Sequence, residues 1–135
     1  MKRSETTLPD TNAILRYLLK DIPEQFNKSA DLFEKARIGT ERIMIIESVL
    51  LECAYVLIKF YNIPKQETAT VLINLLQYKG VVNRDRSIMV EALRLFSENN
   101  LDLADCMLIA NARYRKMKLF TFDKAILKLQ PDRTE

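Results

Sequence analysis

The sequence predicts an α/β fold in which helices cover both faces of a parallel β-sheet. Short apolar runs alternate with longer segments of helical periodicity along the 135 residues, an order typical of parallel sheets. Residues 43–46 are all apolar, as in a strand that is covered on both faces. The length suits one hydrophobic core, and the chain shows no internal repeat or linker. We therefore expect a single domain over residues 1–135, with its core at about residues 8–129.

Local signals set the predicted boundaries of several elements. Asp10 is suited to cap the first helix, and Pro23 fits the first turn of the second. Pro64 marks the break before the fourth helix. The predicted elements are, in order, a strand at 6–9, helices at 11–19 and 24–37, a strand at 42–46, helices at 48–61 and 65–78, a strand at 80–83, helices at 86–99 and 102–117, a strand at 118–122 and a helix at 123–129. The strands at 6–9 and 80–83 are the weaker two, because they are assigned partly from their surroundings.

The composition excludes several classes of enzyme. The chain has no histidine, which rules out Ser-His-Asp and Cys-His catalytic systems and histidine-ligated zinc sites. Gly39 and Gly80 are the only glycines, and their separation excludes the GxGxxG and P-loop motifs. The groups left for catalysis are carboxylates, hydroxyls, basic side chains and a hard metal ion.

Cysteine usage and hydropathy predict a cytoplasmic protein without membrane contact. Cys53 and Cys106 lie in separate apolar stretches with no C-x-x-C spacing, which favours buried, reduced thiols. No apolar segment of a signal peptide follows the basic N-terminus. No apolar run approaches the roughly 18 residues that cross a membrane.

Four carboxylates occupy sequence positions, within apolar helical stretches or directly after predicted strands, that suggest a functional role. Glu52 and Asp105 lie in apolar helical stretches, where burial of a lone carboxylate is costly. Asp10 and Asp123 follow predicted strands, and ligands of parallel sheets gather beyond the carboxyl ends of the strands. We expect the four acids to share one pocket that holds one or two Mg²⁺ or Mn²⁺ ions for phosphodiester hydrolysis. The alternative is structural: Asp10 and Asp123 would cap helices, and Asp102 and Asp105 would be a cap and a first-turn acid.

Four segments resemble, in order, the successive motifs of PIN-domain ribonucleases, and most closely those of VapC-type toxins of prokaryotic toxin–antitoxin pairs. They are LPDTNAILRYLL, ESVLLECAYVL, DLADCMLIANAR and LFTFDKAI. The resemblance implies a three-layer α/β/α sandwich with a central parallel sheet and a metal-dependent endoribonuclease site. It matches the family's four catalytic and metal-binding acids to Asp10, Glu52, Asp105 and Asp123. It matches supporting positions to Asn12, Thr121 and Asp102.

The resemblance also implies a substrate and partners. Such toxins cleave structured RNA, commonly tRNA or rRNA, as homodimers that an antitoxin protein holds inactive. Residues 111–135 carry seven basic and three acidic side chains, so part of this segment is a candidate for contact with the RNA backbone. The candidates are Arg113, Arg115, Lys116 and Lys118. A solvated helix end with cations favoured by the helix dipole explains them equally well.

Three other functions remain open at this point. A structure-specific DNA nuclease could use the same acids, and a nonenzymatic RNA-binding or scaffold module could keep them for structural reasons. A phosphoacceptor receiver domain also has clustered acids in a parallel α/β fold. That domain needs a lysine near the end of a late strand, whereas Lys118 begins its predicted strand.

Overall fold

A computed structural model describes residues 5–129 as a mostly helical α/β fold with a small parallel sheet. The chain divides into two compact units, Met1–Arg84 and Asp85–Glu135. The elements of the first unit are β1 (Thr6–Thr7), α1 (Thr11–Leu19), α2 (Pro23–Ile38), β2 (Arg42–Ile43), α3 (Glu47–Lys59) and α4 (Lys65–Leu76). Those of the second are α5 (Arg86–Glu98), α6 (Leu103–Arg115) and α7 (Lys124–Leu129).

The sheet is parallel, as predicted, but its strands are shorter than predicted. β1 and β2 pair with Thr7 opposite Ile43, and Val81 adds one isolated parallel bridge to Ile43. Beyond the bridge, the amide of Asn83 takes the place of a backbone ladder. It accepts from the Ile45 N–H at 2.9 Å and donates to the Ile45 carbonyl at 2.8 Å. The weak strand candidate at 80–83 is thus confirmed as a neighbour of β2, with one bridging residue.

Gly80 permits this close approach to the sheet. A Cβ atom at this position would lie 2.0 Å from the Glu41 carbonyl oxygen and 2.8 Å from that of Ala36. The Gly80 N–H donates to the same Ala36 oxygen at 2.7 Å. No side chain fits here without displacement of backbone, so glycine is required by contact distance.

The predicted strand at 118–122 is wrong. Residues 117–123 form neither helix nor strand, and Phe120 and Phe122 are each 89% exposed. A strand needs a neighbouring edge to satisfy its backbone groups, and the described part of the second unit has no strand to provide one. With two strands and mostly helix in residues 5–129, the α/β class is confirmed, while the three-layer sandwich stays a prediction.

Helices α1 and α3 place the first unit's candidate site. α1 begins directly after its N-cap Asp10, and its C-cap Lys20 has a left-handed φ of 55°. It packs against α2 and α3 through a face that includes the buried Ile14. α3 buries only one face, which it forms with Leu50, Cys53, Ala54 and Leu57. The other face of α3 is therefore available for polar chemistry.

Helices α5 and α6 pack extensively against each other, and α7 packs on α6. α5 contributes an apolar face that includes Met89 and Leu93, and α6 contributes Cys106, Ile109 and Ala110, all buried. This packing fixes the first turn of α6, which carries the candidate acid of the second unit. Cys53 and Cys106 are both buried, as predicted, and no disulfide joins them. Among the described residues, no helix combines the length and the hydropathy needed to cross a membrane.

Candidate active site

Asp10 caps helix α1 and still keeps one carboxylate oxygen without a partner. Its Oδ1 accepts a hydrogen bond from the Ala13 N–H at 2.8 Å, which satisfies one of the free amides of the first turn. Within residues 5–129, no other hydrogen bond or ion pair involves this side chain. The capping role is therefore real, and it leaves Oδ2 free for a ligand.

Glu52 lies beside this helix terminus but is exposed, which corrects the expectation that it is a buried acid in a helix covered on all sides. Tyr55, one turn away on α3, is exposed as well, with 58% of its surface accessible. The reason is that α3 buries a single face. The Glu52 carboxylate accepts through Oε1 from the Thr11 hydroxyl at 2.8 Å.

The two acids line one concave surface, which we call the α1–α3 pocket. Its lining residues are Asp10, Thr11, Asn12, Leu15, Glu52 and Val56. Polar groups come from the first turn of α1 and from Glu52, and Leu15 and Val56 supply apolar walls. Asp10, Asn12 and Glu52, which were predicted as site residues from the sequence, therefore line the same pocket, and their roles in it stay predictions.

The pKa of the Cys53 thiol is affected by the negative charge of this pocket. Burial, followed by the charges of Glu52 and Asp10, raises the pKa of its thiol to about 12. In the metal-free protein the thiol therefore stays protonated at neutral pH, and a protonated thiol is not a nucleophile. The chemistry of the pocket is carboxylate chemistry.

Asp105 is the central acid of the second unit. It lies in the first turn of α6 and is half-buried. Burial raises the pKa of Asp105, and the negative charges of Asp102 and Asp123 raise it further. Asp102 precedes α6 but makes no side-chain capping hydrogen bond, so the expected capping role of Asp102 is not observed.

Asp123 makes local hydrogen bonds with Ala125 and with Thr121. Its Oδ1 accepts from the Ala125 N–H at 2.8 Å at the start of α7. Its N–H donates to the Thr121 hydroxyl at 3.0 Å. Thr121, predicted as a supporting residue, thus shapes the turn that presents Asp123.

The four basic side chains that were predicted to contact RNA differ in whether they already make hydrogen bonds within the protein. The side chain of Arg113 donates to Glu91 Oε2 at 3.0 Å and to the Leu129 carbonyl at 2.6 Å, so its contacts tie α6 to α5 and to α7. Arg115 donates to Asn111 one turn earlier at 2.8 Å. Lys116 and Lys118 are exposed, and they are the cations of this set best placed to meet a polyanion.

These residues suit a hard divalent cation that keeps several of its waters. Within the described range 5–129, no group of three or more Asp, Glu, Cys or His side chains forms a cage for a metal. Mg²⁺ is commonly held by only one or two carboxylates together with waters and substrate phosphate. The pair Asp10 and Glu52 offers such ligands, and a soft metal would find neither imidazole nor thiolate here.

Sequence reasoning missed Thr11, Leu15 and Val56. Thr11 had a usable signal, since it is a hydroxyl residue directly after a candidate acid. Leu15 and Val56 had none, because an apolar residue that lines a pocket has the same pattern as one in the core.

The chain matches the PIN domain family over residues 7–130. No curated protein and no solved structure matches it. PIN domains are generally nucleases, and the carboxylates of both units fit that chemistry. Since the match covers almost the whole chain, the protein belongs to the PIN domain family.

Proposed function

We propose that this protein is an endoribonuclease that depends on Mg²⁺ or Mn²⁺, with one or two ions, and that cleaves structured RNA such as tRNA or rRNA. The observation that carries the proposal is the α1–α3 pocket of a PIN-family chain, in which Asp10 and Glu52 present carboxylate oxygens. The acids of the second unit, Asp105 and Asp123, complete the proposed catalytic set. The proposal includes the three-layer sandwich, in which these acids serve one reaction.

Each acid has a defined part in this proposal. A bound divalent ion would supply positive charge to the scissile phosphate and make a water more acidic. Asp10 is fixed by its capping bond, and Glu52 is fixed by Thr11, so both would bind the cation with little loss of side-chain entropy. Asp105 would join the carboxylate ligands of the cation, and one carboxylate of the set would accept a proton from the attacking water. Asp123 would bind the cation, with Thr121 and Asn12 in support.

The exposed cations would supply affinity for the substrate. Lys116 and Lys118 lie on the same chain segment as Asp123, and phosphate contacts from such residues give binding that weakens with salt. Arg115 would contribute less, since its guanidinium already donates to Asn111.

The test is cleavage of a folded RNA, with bulk tRNA as the probe. The wild-type protein should cut it in Mg²⁺ or Mn²⁺, and both EDTA and Asp10→Asn should abolish the cutting. Asp31→Asn is the matched control, because Asp31 is an acid on α2 whose side chain is 71% exposed. Cutting that survives both chelation and Asp10→Asn would overturn the proposal. Cutting of flap or hairpin DNA in place of RNA would assign a DNA nuclease.

We further propose that the protein is the VapC-type toxin of a toxin–antitoxin pair and acts as a homodimer in the cytoplasm. The four motifs and the family membership support this. Expression of the wild-type chain should then arrest bacterial growth, while Asp105→Asn should not. The cognate antitoxin should relieve the arrest. Equal growth with both chains would contradict a toxin role, and light scattering would measure the oligomeric state.

A further inference from the structure

The hydrogen bond between Thr11 and Glu52 joins two helices across the α1–α3 pocket. Thr11 is the first residue of α1, and its hydroxyl donates to Glu52 Oε1 on α3 at 2.8 Å, 41 positions further along the chain. The neighbouring residue Cys53 is fully buried, and its Sγ lies 3.9 Å from the Thr11 carbonyl oxygen. Both helices are therefore firmly packed at the point where the bond crosses between them.

Thr11 has no other evident task at this position. The capping of α1 is done by Asp10, whose Oδ1 receives the Ala13 N–H. Threonine is a mediocre helix former, so helix propensity does not explain a threonine at this position. Within the described residues, the hydroxyl makes one hydrogen bond, to the Glu52 carboxylate.

Glu52 in turn depends on this contact. An exposed glutamate has three rotatable side-chain bonds, and confining it costs conformational entropy. In residues 5–129, the Thr11 hydroxyl is its only hydrogen-bond or ion-pair partner. The bond engages Oε1 and leaves Oε2 unpaired.

We propose that Thr11 is a positioning residue that holds the Glu52 carboxylate so that Oε2 and the free Oδ2 of Asp10 meet one divalent cation. The inference rests on the proposed function, because it assumes a cation at these two acids. It adds a residue that orients a ligand without touching the metal. Loss of such an orienting partner typically weakens metal binding by about 10–100-fold.

The test compares Thr11→Val, which removes the hydroxyl and keeps the shape, with Thr11→Ser, which keeps the hydroxyl. Mn²⁺ binding is measured by calorimetry on the full chain. We expect Thr11→Val to weaken Mn²⁺ binding roughly tenfold and Thr11→Ser to bind like the wild type. The matched control is Thr70→Val on α4, where the hydroxyl of an exposed threonine donates to the Gln66 carbonyl at 3.0 Å. This control should leave Mn²⁺ affinity unchanged.

A second measurement on the metal-free chain makes the positioning claim testable by itself. In protein with ¹³C-labelled glutamate carboxyl groups, the Glu52 signal should be that of an ordered side chain in the wild type and Thr11→Ser. In Thr11→Val it should shift and show motional averaging. An unchanged Glu52 signal in Thr11→Val would overturn the inference whether or not the protein binds metal.

The outcomes separate the two proposals. Mn²⁺ binding that Glu52→Gln weakens and Thr11→Val leaves intact would overturn the role of Thr11 and keep the metal site. Failure of the wild type to bind Mn²⁺, or equal binding by wild type and Glu52→Gln, would overturn both the cation at Glu52 and the role of Thr11 toward it.

Discussion

Asp10 has two roles that substitution can separate, because asparagine caps a helix as well as aspartate does but carries no charge. Its Oδ1 receives the Ala13 N–H at 2.8 Å, and the amide oxygen of Asp10→Asn can accept the same hydrogen bond. We therefore expect Asp10→Asn to retain the stability of the wild type and to lose Mn²⁺ binding and RNA cleavage. Asp10→Ala should lose the cap as well.

The expected cost of Asp10→Ala follows from the loss of one capping hydrogen bond at an exposed helix terminus. Such losses destabilise proteins by about 1 kcal/mol, within a range of roughly 0.5–2 kcal/mol. In a chain of this size, about 1 kcal/mol corresponds to a fall in Tm of roughly 3–5 °C. Urea unfolding followed by circular dichroism measures the free energy of unfolding, and calorimetry measures Mn²⁺ binding.

Two results would refute this reasoning about Asp10. If Asp10→Asn destabilises the metal-free protein as much as Asp10→Ala does, the side chain stabilises the helix by charge and not by the observed bond. If Asp10→Asn binds Mn²⁺ with wild-type affinity, Asp10 is not a ligand.

Three further substitutions test the fold and its electrostatics. Gly80→Ala should destabilise the protein by more than about 2 kcal/mol in urea unfolding, since its Cβ would lie 2.0 Å from the Glu41 carbonyl oxygen; wild-type stability would contradict the close approach. Arg113→Ala should cost about 1–3 kcal/mol of unfolding free energy, because it removes the ion pair with Glu91 and the hydrogen bond to the Leu129 carbonyl; an unchanged Tm would show that these contacts together contribute nothing. The pKa of Asp105 is raised in the folded protein, so ionisation of this carboxyl opposes folding. As the pH rises from below the ordinary aspartate pKa of about 4 through the raised value, the metal-free wild type should lose stability relative to Asp105→Asn. A stability difference between the two proteins that is constant over pH 3–7 would contradict that shift.

The helices could be predicted well because their signals are local. The N-cap at Asp10 and the prolines Pro23 and Pro64 lie at or next to the boundaries that they set. The strand at 118–122 could not be predicted reliably, because an apolar run of five residues does not reveal whether a neighbouring edge exists.

The site shows the same division between local and long-range information. Asp10 and Glu52 were singled out because Asp10 follows a predicted strand and Glu52 lies in an apolar helical stretch. The structure places both in the α1–α3 pocket. The premise that Glu52 is buried was wrong, because apolar composition around a helix does not show which face packs. The contact of Thr11 with Glu52 joins residues far apart in the chain, and no local pattern encodes it.

The central claim is that carboxylates from both units serve one cleavage reaction. Its most direct test is the single-turnover rate of RNA cleavage in Mg²⁺ for Asp10→Asn, Asp105→Asn and the double variant. We expect each single variant to lose roughly 10²–10⁴-fold in rate and the double variant to be no slower than the slower single one, since residues that act as a unit are not additive. Wild-type rates in both single variants, or losses that multiply in the double variant, would contradict the claim.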